Sequence, residues 1–169
     1  METVDTFEGI LPARYGPRPQ TIPRAPHSQI DQIPPDRRQL GQALLTMLST
    51  LPGVETGSSM RAPPGTIGLY LRQGPAATRP RAFLLGHEFA HVHLEDDGSL
   101  HTVLPEPLRS RAIAAGWAEP HPLAGYPTVS PDTVMIYAPR NQEEVSTVAR
   151  LVRHAHANAS GTTGTGPAF

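Results

Sequence analysis

The turn Glu95-Asp96-Asp97-Gly98 constrains this chain more than any other feature, because glycine accepts positive φ and the flanking segments alternate in the manner of strands. Residues 83–94 and 99–104 are therefore predicted to be antiparallel neighbours. A second strand pattern, Ile67, Leu69 and Leu71 alternating with Gly68 and Tyr70 over residues 66–72, is bounded by Pro63-Pro64-Gly65 and Gly74-Pro75. Residues 54–56 read as a short strand and 133–138 (TVMIYA) as a buried one.

Between these strands the apolar period changes to that of helices. Leu40, Ala43, Leu44, Met47, Leu48 and Leu51 recur at helical spacing after Asp36, and Pro52-Gly53 stops the run. Residues 108–115 read as a helix ending at Gly116. Asn141 is the expected N-cap of the last helix, with Glu144 as its reciprocal acid, and Val145, Val148, Leu151 and Val152 line one face.

The order α-β-β-β-β-α-β-α, richer in hairpins than in crossovers, predicts an α+β fold: a mainly antiparallel sheet with helices packed on one face. At 169 residues and 38% apolar content the chain suits one core. The expected division is a proline-rich extended arm over residues 1–34, a domain over 35–159 and a disordered tail over 160–169.

Composition excludes several chemistries. There is no cysteine and no lysine, which removes disulfides, thiolate ligands and nucleophiles, iron–sulfur clusters and Schiff-base lysines. A net charge of −1 with scattered arginines gives no footprint for nucleic acid. No apolar run approaches the roughly 20 residues needed to span a bilayer, and residues 1–10 lack the pattern of a secretory leader, so the expected setting is cytoplasmic and away from the membrane. G-x-S-x-G, G-x-x-x-x-G-K-[ST] and a G-x-G-x-x-G after a strand are all missing.

Against that background the histidines stand out: five of the eight, His87, His91, His93, His101 and His121, fall between positions 87 and 121. If residues 89–94 are extended, Ala90, Val92 and Leu94 share the core face, while Phe89, His91 and His93 share the other. Folding about Asp97-Gly98 then sets His93 nearly opposite His101, at the about 4.5 to 5.5 Å between Cα atoms of antiparallel partners.

Three imidazoles on one point suit a divalent transition metal, with zinc, iron or copper the candidates. His91, His93 and His101 are the expected ligands. His121, in the loop Glu119-Pro120-His121-Pro122, is the expected fourth ligand or general acid/base, with Glu119 orienting it. The same histidines without metal would serve as proton donors and acceptors in a lyase, isomerase or cyclase. A third possibility is a non-catalytic binding or interaction module whose proline-rich arm faces the partner.

A competing pattern overlaps: His87-Glu88-Phe89-Ala90-His91 is H-E-x-x-H, which on a helix would give a zincin-type site. Gly86 and the nearby turn weigh against a helix there. Arg140 is a candidate for binding a carboxylate or phosphate of the substrate. Glu88, placed on the core or edge side of its strand, requires an arginine or histidine partner. Trp117 and Tyr137 are expected in the core, and His154 and His156 near the surface at the end of the last helix.

The segments Glu88-Phe89-Ala90-His91-Val92-His93, Asp97-Gly98-Ser99-Leu100-His101, Gly116-Trp117-Ala118-Glu119-Pro120-His121-Pro122-Leu123 and Val134-Met135-Ile136-Tyr137-Ala138-Pro139-Arg140 resemble the small bacterial and fungal luciferase domain, over about residues 36–157. The resemblance implies a small α+β fold and histidines at 91, 93, 101 and 121. Position 87 is outside that pattern, which favours the hairpin over the zincin-type helix. Its label is not read as light emission. The resulting expectation is a histidine-ligated metalloenzyme acting on a small organic molecule, with specialised metabolism as its setting.

Overall fold

The computed structural model describes residues 11–72 and 78–162. Residues 1–10 of the arm, the Gly74-Pro75 boundary and most of the expected tail lie outside them. In chain order the elements are α1 Arg37–Leu48, β1 Val54–Ser58, β2 Ile67–Leu71, β3 Glu88–Val92, β4 Leu100–Val103, α2 Leu108–Ala114, β5 Ala118–Pro120, β6 Thr133–Ile136 and α3 Gln142–Ser160. The six strands form one antiparallel sheet in the order β1-β2-β3-β4-β6-β5. This is the α+β architecture expected, with the three-residue β5 added where a loop was anticipated.

Apolar periodicity explains the core. The Leu40, Leu44, Leu45 and Leu48 stripe of α1 and the Val145, Val148, Leu151, Val152 and Ala155 stripe of α3 pack together with Leu69, Ala90, Val92, Leu100, Val134 and Ile136 from the sheet. Each fully buried leucine or valine contributes about 1.5–3 kcal/mol relative to exposure. The Asn141 cap forms, its Oδ1 accepting from the Glu144 N–H at 2.9 Å. The Glu144 carboxylate reaches one residue further back than a capping box predicts, accepting from the Arg140 N–H at 2.9 Å.

Two sequence expectations need correction here. The segment 83–94 is not one strand: Pro80–Ala82 is a single 3-10 turn, a tight turn closed by the Glu88 N–H on the Leu85 carbonyl follows, and pairing begins only at Glu88. His156 is not at the surface, because α3 runs on to Ser160; its ring is 8% exposed, meets the Leu11-to-Ala159 core through Phe89 and places Nε2 2.8 Å from the Pro52 carbonyl oxygen.

The prolines of the arm forbid helix but leave backbone and side-chain groups that bond to the domain, so residues 11–34 pack against it instead of extending freely. The Arg14 N–H donates to the Ala115 carbonyl at 2.8 Å, the Trp117 indole to Pro12 at 2.6 Å and the Arg18 guanidinium to Ala118 at 2.9 Å. Within the arm, Ile22 N–H to Ser28 and Ile30 N–H to Gln20 close a small hairpin whose loop carries His27. No helix among the described residues is long and apolar enough to cross a membrane.

Candidate functional site

The face of the sheet opposite α1 and α3 is where the histidines meet. One cross-strand row runs Gly57, Gly68, His91, His101, Met135, Glu119, each directly paired with the next. Directly paired residues point to the same side, so the row presents two imidazoles side by side. The register differs from the sequence expectation: His101 lies opposite His91, not His93. The reason is the turn. Residues 94–98 form a longer loop in which His93 and Ser99 are the last partners and Gly98 takes φ 81°.

A β-bulge corrects a second expectation. Between β2 and β3 the pairing passes from Leu69–Ala90 to Tyr70–Glu88, leaving Phe89 as the extra residue. Phe89 therefore turns into the helical core, while Glu88 comes onto the face of His91 and His93. Strict alternation would have reversed the two. The histidine partner that Glu88 requires is His91, whose Nδ1 lies 2.6 Å from Oε1. H-E-x-x-H on a helix is excluded, since Glu88–Val92 is a strand.

From Glu88 the hydrogen-bond series continues through the cluster. His91 Nε2 lies 3.0 Å from His101 Nδ1, His101 Nε2 lies 3.2 Å from His27 Nδ1, and His27 Nε2 lies 3.1 Å from Glu119 Oε1. His93 stands beside this series, its ring centroid 4.8 Å from that of His101. Its Nδ1 meets Ser99 Oγ at 3.0 Å and Asp97 Oδ1 at 3.3 Å, so among the described residues Nε2 is the nitrogen not engaged by this pair. Among the described residues two sets of three imidazoles bring ligand atoms within 4.8 Å of one another: His91, His93, His101 and His27, His101, His121.

Burial dominates the electrostatics. It pushes His101 well below the usual imidazole range, with the surrounding histidines adding to the effect, and it lowers His91 despite the opposing hydrogen bond to Glu88. His121 is pushed down to about 4, by burial first and then by His27. Burial alone would raise Asp97, yet hydrogen bonds from His93, the Gln29 N–H and Ser99 outweigh it and hold the carboxyl below its ordinary value. Glu119 is likewise held low by His27 and Thr21 against its own burial.

The other expected site residues are placed as follows. His121 joins the cluster, edge-on to His27 and His101 with centroids 5.2 and 4.9 Å away. Its Nδ1 accepts the Leu123 N–H at 3.1 Å, which in the neutral ring leaves the proton on Nε2. Glu119 orients His27 and not His121. Arg140 is not brought to the cavity: its guanidinium is held by the Glu144 carboxylate and also donates to the Tyr15 carbonyl. Trp117 and Tyr137 are buried as expected.

The five converging histidines line a cavity of about 260 Å³, walled by Pro26, Pro63, Leu84, Leu85, Leu123 and Val129. A wider surface cleft of about 570 Å³ shares Leu84, Leu85 and Val129 with it but contains none of those five rings.

Residues 86–155 match the family model described as Luciferase domain. That segment of the chain is similar to the luciferase domain. Curated proteins named Luciferase from Armillaria ostoyae and Armillaria gallica are each 28% identical to it over 155 residues, 84% of this chain and 58% of theirs. The Luciferase of Neonothopanus nambi is 39% identical over 67 residues, 38% of this chain and 25% of its own. The chain thus spans somewhat more than half the length of the Armillaria proteins. No solved structure matches it.

The sequence singled out His91, His93, His101 and His121, which the structure brings together, but not His27, which lies outside the matched segment and carries no local signal in its proline-rich surroundings. The role of Asp97 was legible in principle. Asp97-Gly98-Ser99 is an Asx-turn pattern, realised as Asp97 Oδ1 accepting the Ser99 N–H at 2.9 Å.

Gly68 supports the site from the next strand, since a Cβ there would lie 2.8 Å from the Tyr70 ring and 3.0 Å from Glu88 Oε2. Gly68→Ala is expected to cost about 1–3 kcal/mol in denaturant unfolding, the usual penalty of overpacking. It should also shift the imidazole NMR signals of His91 by displacing Glu88. Unchanged His91 signals would count against the coupling of these two side chains.

Proposed function

We propose that this protein is a metal-dependent enzyme for a small organic molecule, with His91 Nε2, His93 Nε2 and His101 Nδ1 as the ligand atoms. The supporting observation is a proton inventory. The series Glu88, His91, His101, His27, Glu119 contains four hydrogen-bonding links. Three neutral imidazoles bring only three N–H groups, one each. One link lacks its proton.

An added proton on His91 or His101 is disfavoured, because both are buried where charge is costly. A cation between His91 Nε2 and His101 Nδ1 resolves the deficit: His91 then donates to Glu88, His101 to His27 and His27 to Glu119. The separation of 3.0 Å is close to the about 3.3 Å that metal–nitrogen bonds of about 2.0–2.1 Å give in a tetrahedral site. His93 brings a third lone pair, and Glu88 and Asp97 back His91 and His93 as carboxylates back the ligands of established metal sites.

A bound zinc, iron or copper ion would polarise a substrate oxygen or, for the last two, exchange electrons. The chain's own residues supply the rest: the apolar walls of the cavity exclude water, and His121 offers an Nε2 proton as a hydrogen-bond donor. The name Luciferase borne by the fungal relatives is a second support for enzymatic chemistry. His27 and Gln29 tie the arm to the centre by being buried against the domain.

The metal-free acid/base enzyme is the second reading, since one added proton would also complete the series between its two carboxylates. Elemental analysis of the protein as isolated, and after loading with zinc, iron and copper in turn, separates the two. One ion per chain is expected. No stoichiometric metal under any of these conditions would remove the metal reading and leave the acid/base enzyme and the non-catalytic binding module.

A further inference from the structure

His91 and His93 are oriented by carboxylates a few residues away in the hairpin, Glu88 and Asp97. Among the described residues His101 has no carboxylate of its own. Its outward nitrogen, Nε2, meets His27 Nδ1 at 3.2 Å, and only the far side of that second ring reaches a carboxylate, Glu119. The rings of His27 and His101 stack at 5.3 Å and 20°, so His27 lies flat along its neighbour. Two residues further along the arm, the Gln29 N–H donates to Asp97 Oδ2 at 2.6 Å while the Gln29 side chain accepts the Ala138 N–H at 2.7 Å.

We infer that the proline-rich arm is the outer shell of the proposed centre, with His27 and Glu119 as the positioning residues that fix which nitrogen of His101 faces the metal. The inference rests on the metal reading above and extends it to a segment beyond residues 86–155, where the family match lies. The chemistry is that of a carboxylate–histidine pair lengthened by one ring. The Glu119 carboxylate takes the Nε2 proton of His27, Nδ1 of His27 is thereby left as an acceptor, and it takes the Nε2 proton of His101. Nδ1 of His101 is then unprotonated and turned toward His91 and His93. Gln29 does the same one step removed for His93, by holding Asp97 in place. One short hairpin in the arm thus reaches two of the three ligands.

The sequence has no local sign of this. His27 is separated from His101 by more than seventy positions and meets it only because Trp117, Ala115, Ala118 and Ala138 anchor the arm on either side.

The test is metal affinity in the full-length chain, measured by competitive titration with cobalt(II) and zinc(II), together with the visible ligand-field spectrum of the cobalt form. His27→Phe keeps a ring of similar size and removes both nitrogens. It is expected to weaken binding about 10–100-fold, the usual effect of losing an outer partner of a metal ligand, and to change the cobalt spectrum. His27→Gln, whose amide can accept from His101 and donate to Glu119, should restore part of the loss. Glu119→Gln, at a side chain 27% exposed and so tolerant of change, should weaken binding in the same direction. His87→Ala, whose ring meets the Leu71 carbonyl outside the cavity, should leave affinity within about twofold.

A merely structural role for His27 would lower the melting temperature and leave the spectrum of the folded, loaded protein as it is. Wild-type affinity and spectrum in His27→Phe, or in Glu119→Gln should His27→Phe fail to fold, overturn this inference while the metal reading stands. A wild-type chain that takes up neither ion overturns both.

Discussion

The double change His91→Ala/His93→Ala is expected to reduce bound metal from one ion per chain to none. Both rings are almost wholly buried, 7% and 2% exposed, so no solvent-side group is placed to substitute for them. Removing two of three ligands leaves only His101 at the proposed centre, and a single imidazole does not hold a divalent ion at micromolar concentrations against water; an ion retained by the variant would point to the second set, His27, His101 and His121. Stability should fall as well, because each vanished ring leaves a buried carboxylate short of one donor, at about 1–3 kcal/mol apiece. For Asp97 the loss is cushioned by Gln29 and Ser99, and for Glu88 by the Ser59 hydroxyl at 3.0 Å. Metal content by elemental analysis, with circular dichroism as the check on folding, measures the outcome. Wild-type stoichiometry in the folded double variant would mean that the centre is not where the three rings meet.

The second large effect is acid lability of the metal-free protein. His91, His101 and His121 all have folded-state values below the ordinary 6.5, so below that pH the unfolded chain binds protons the native one refuses. Stability must then fall as pH falls, beginning near 6.5, by about 1.4 kcal/mol per pH unit for each fully neutral ring. The carboxylates act in the same direction lower down. Asp97 and Glu119 are held below their ordinary values, so their contribution is present above about pH 4 and is lost as pH drops through their folded-state values. The melting temperature of chelator-treated protein should decline steadily from pH 7 to pH 5 and more steeply below. His121→Asn should flatten the upper part of that curve, its replacement having nothing to titrate. A melting temperature independent of pH between 7 and 5 would contradict the burial assigned to these rings.

Both outcomes depend on features that differ in how far the sequence discloses them. The helices and the hairpin about Gly98 were legible, because periodicity and turn chemistry are local properties of a dozen residues. The convergence of His91, His93 and His101 followed from that hairpin. Which histidine faces which did not. The pairing of His91 with His101 depends on a loop spanning residues 94–98 in place of a tight turn at Asp97-Gly98, and the placement of Glu88 beside His91 depends on a bulge at Phe89 that breaks strict alternation. A shift of one residue exchanges the two faces of a strand, so a small uncertainty in the turn becomes a large one at the site.

By itself, then, the sequence determined the α+β class, the element order and the set of side chains from which a centre can be assembled: no cysteine, no lysine, and His91, His93, His101 and His121 within the region that matches the luciferase domain. Only the tertiary structure decided the order of contacts within that set. It turned Phe89 inward and Glu88 toward the histidines, tied Arg140 to Glu144 away from the cavity, and carried His27 from a distant arm into contact with His101. The physical reason is that hydrophobic period and turn preference act between neighbours in the chain, whereas hydrogen-bond partners buried between elements are chosen by where the packed core leaves those elements standing.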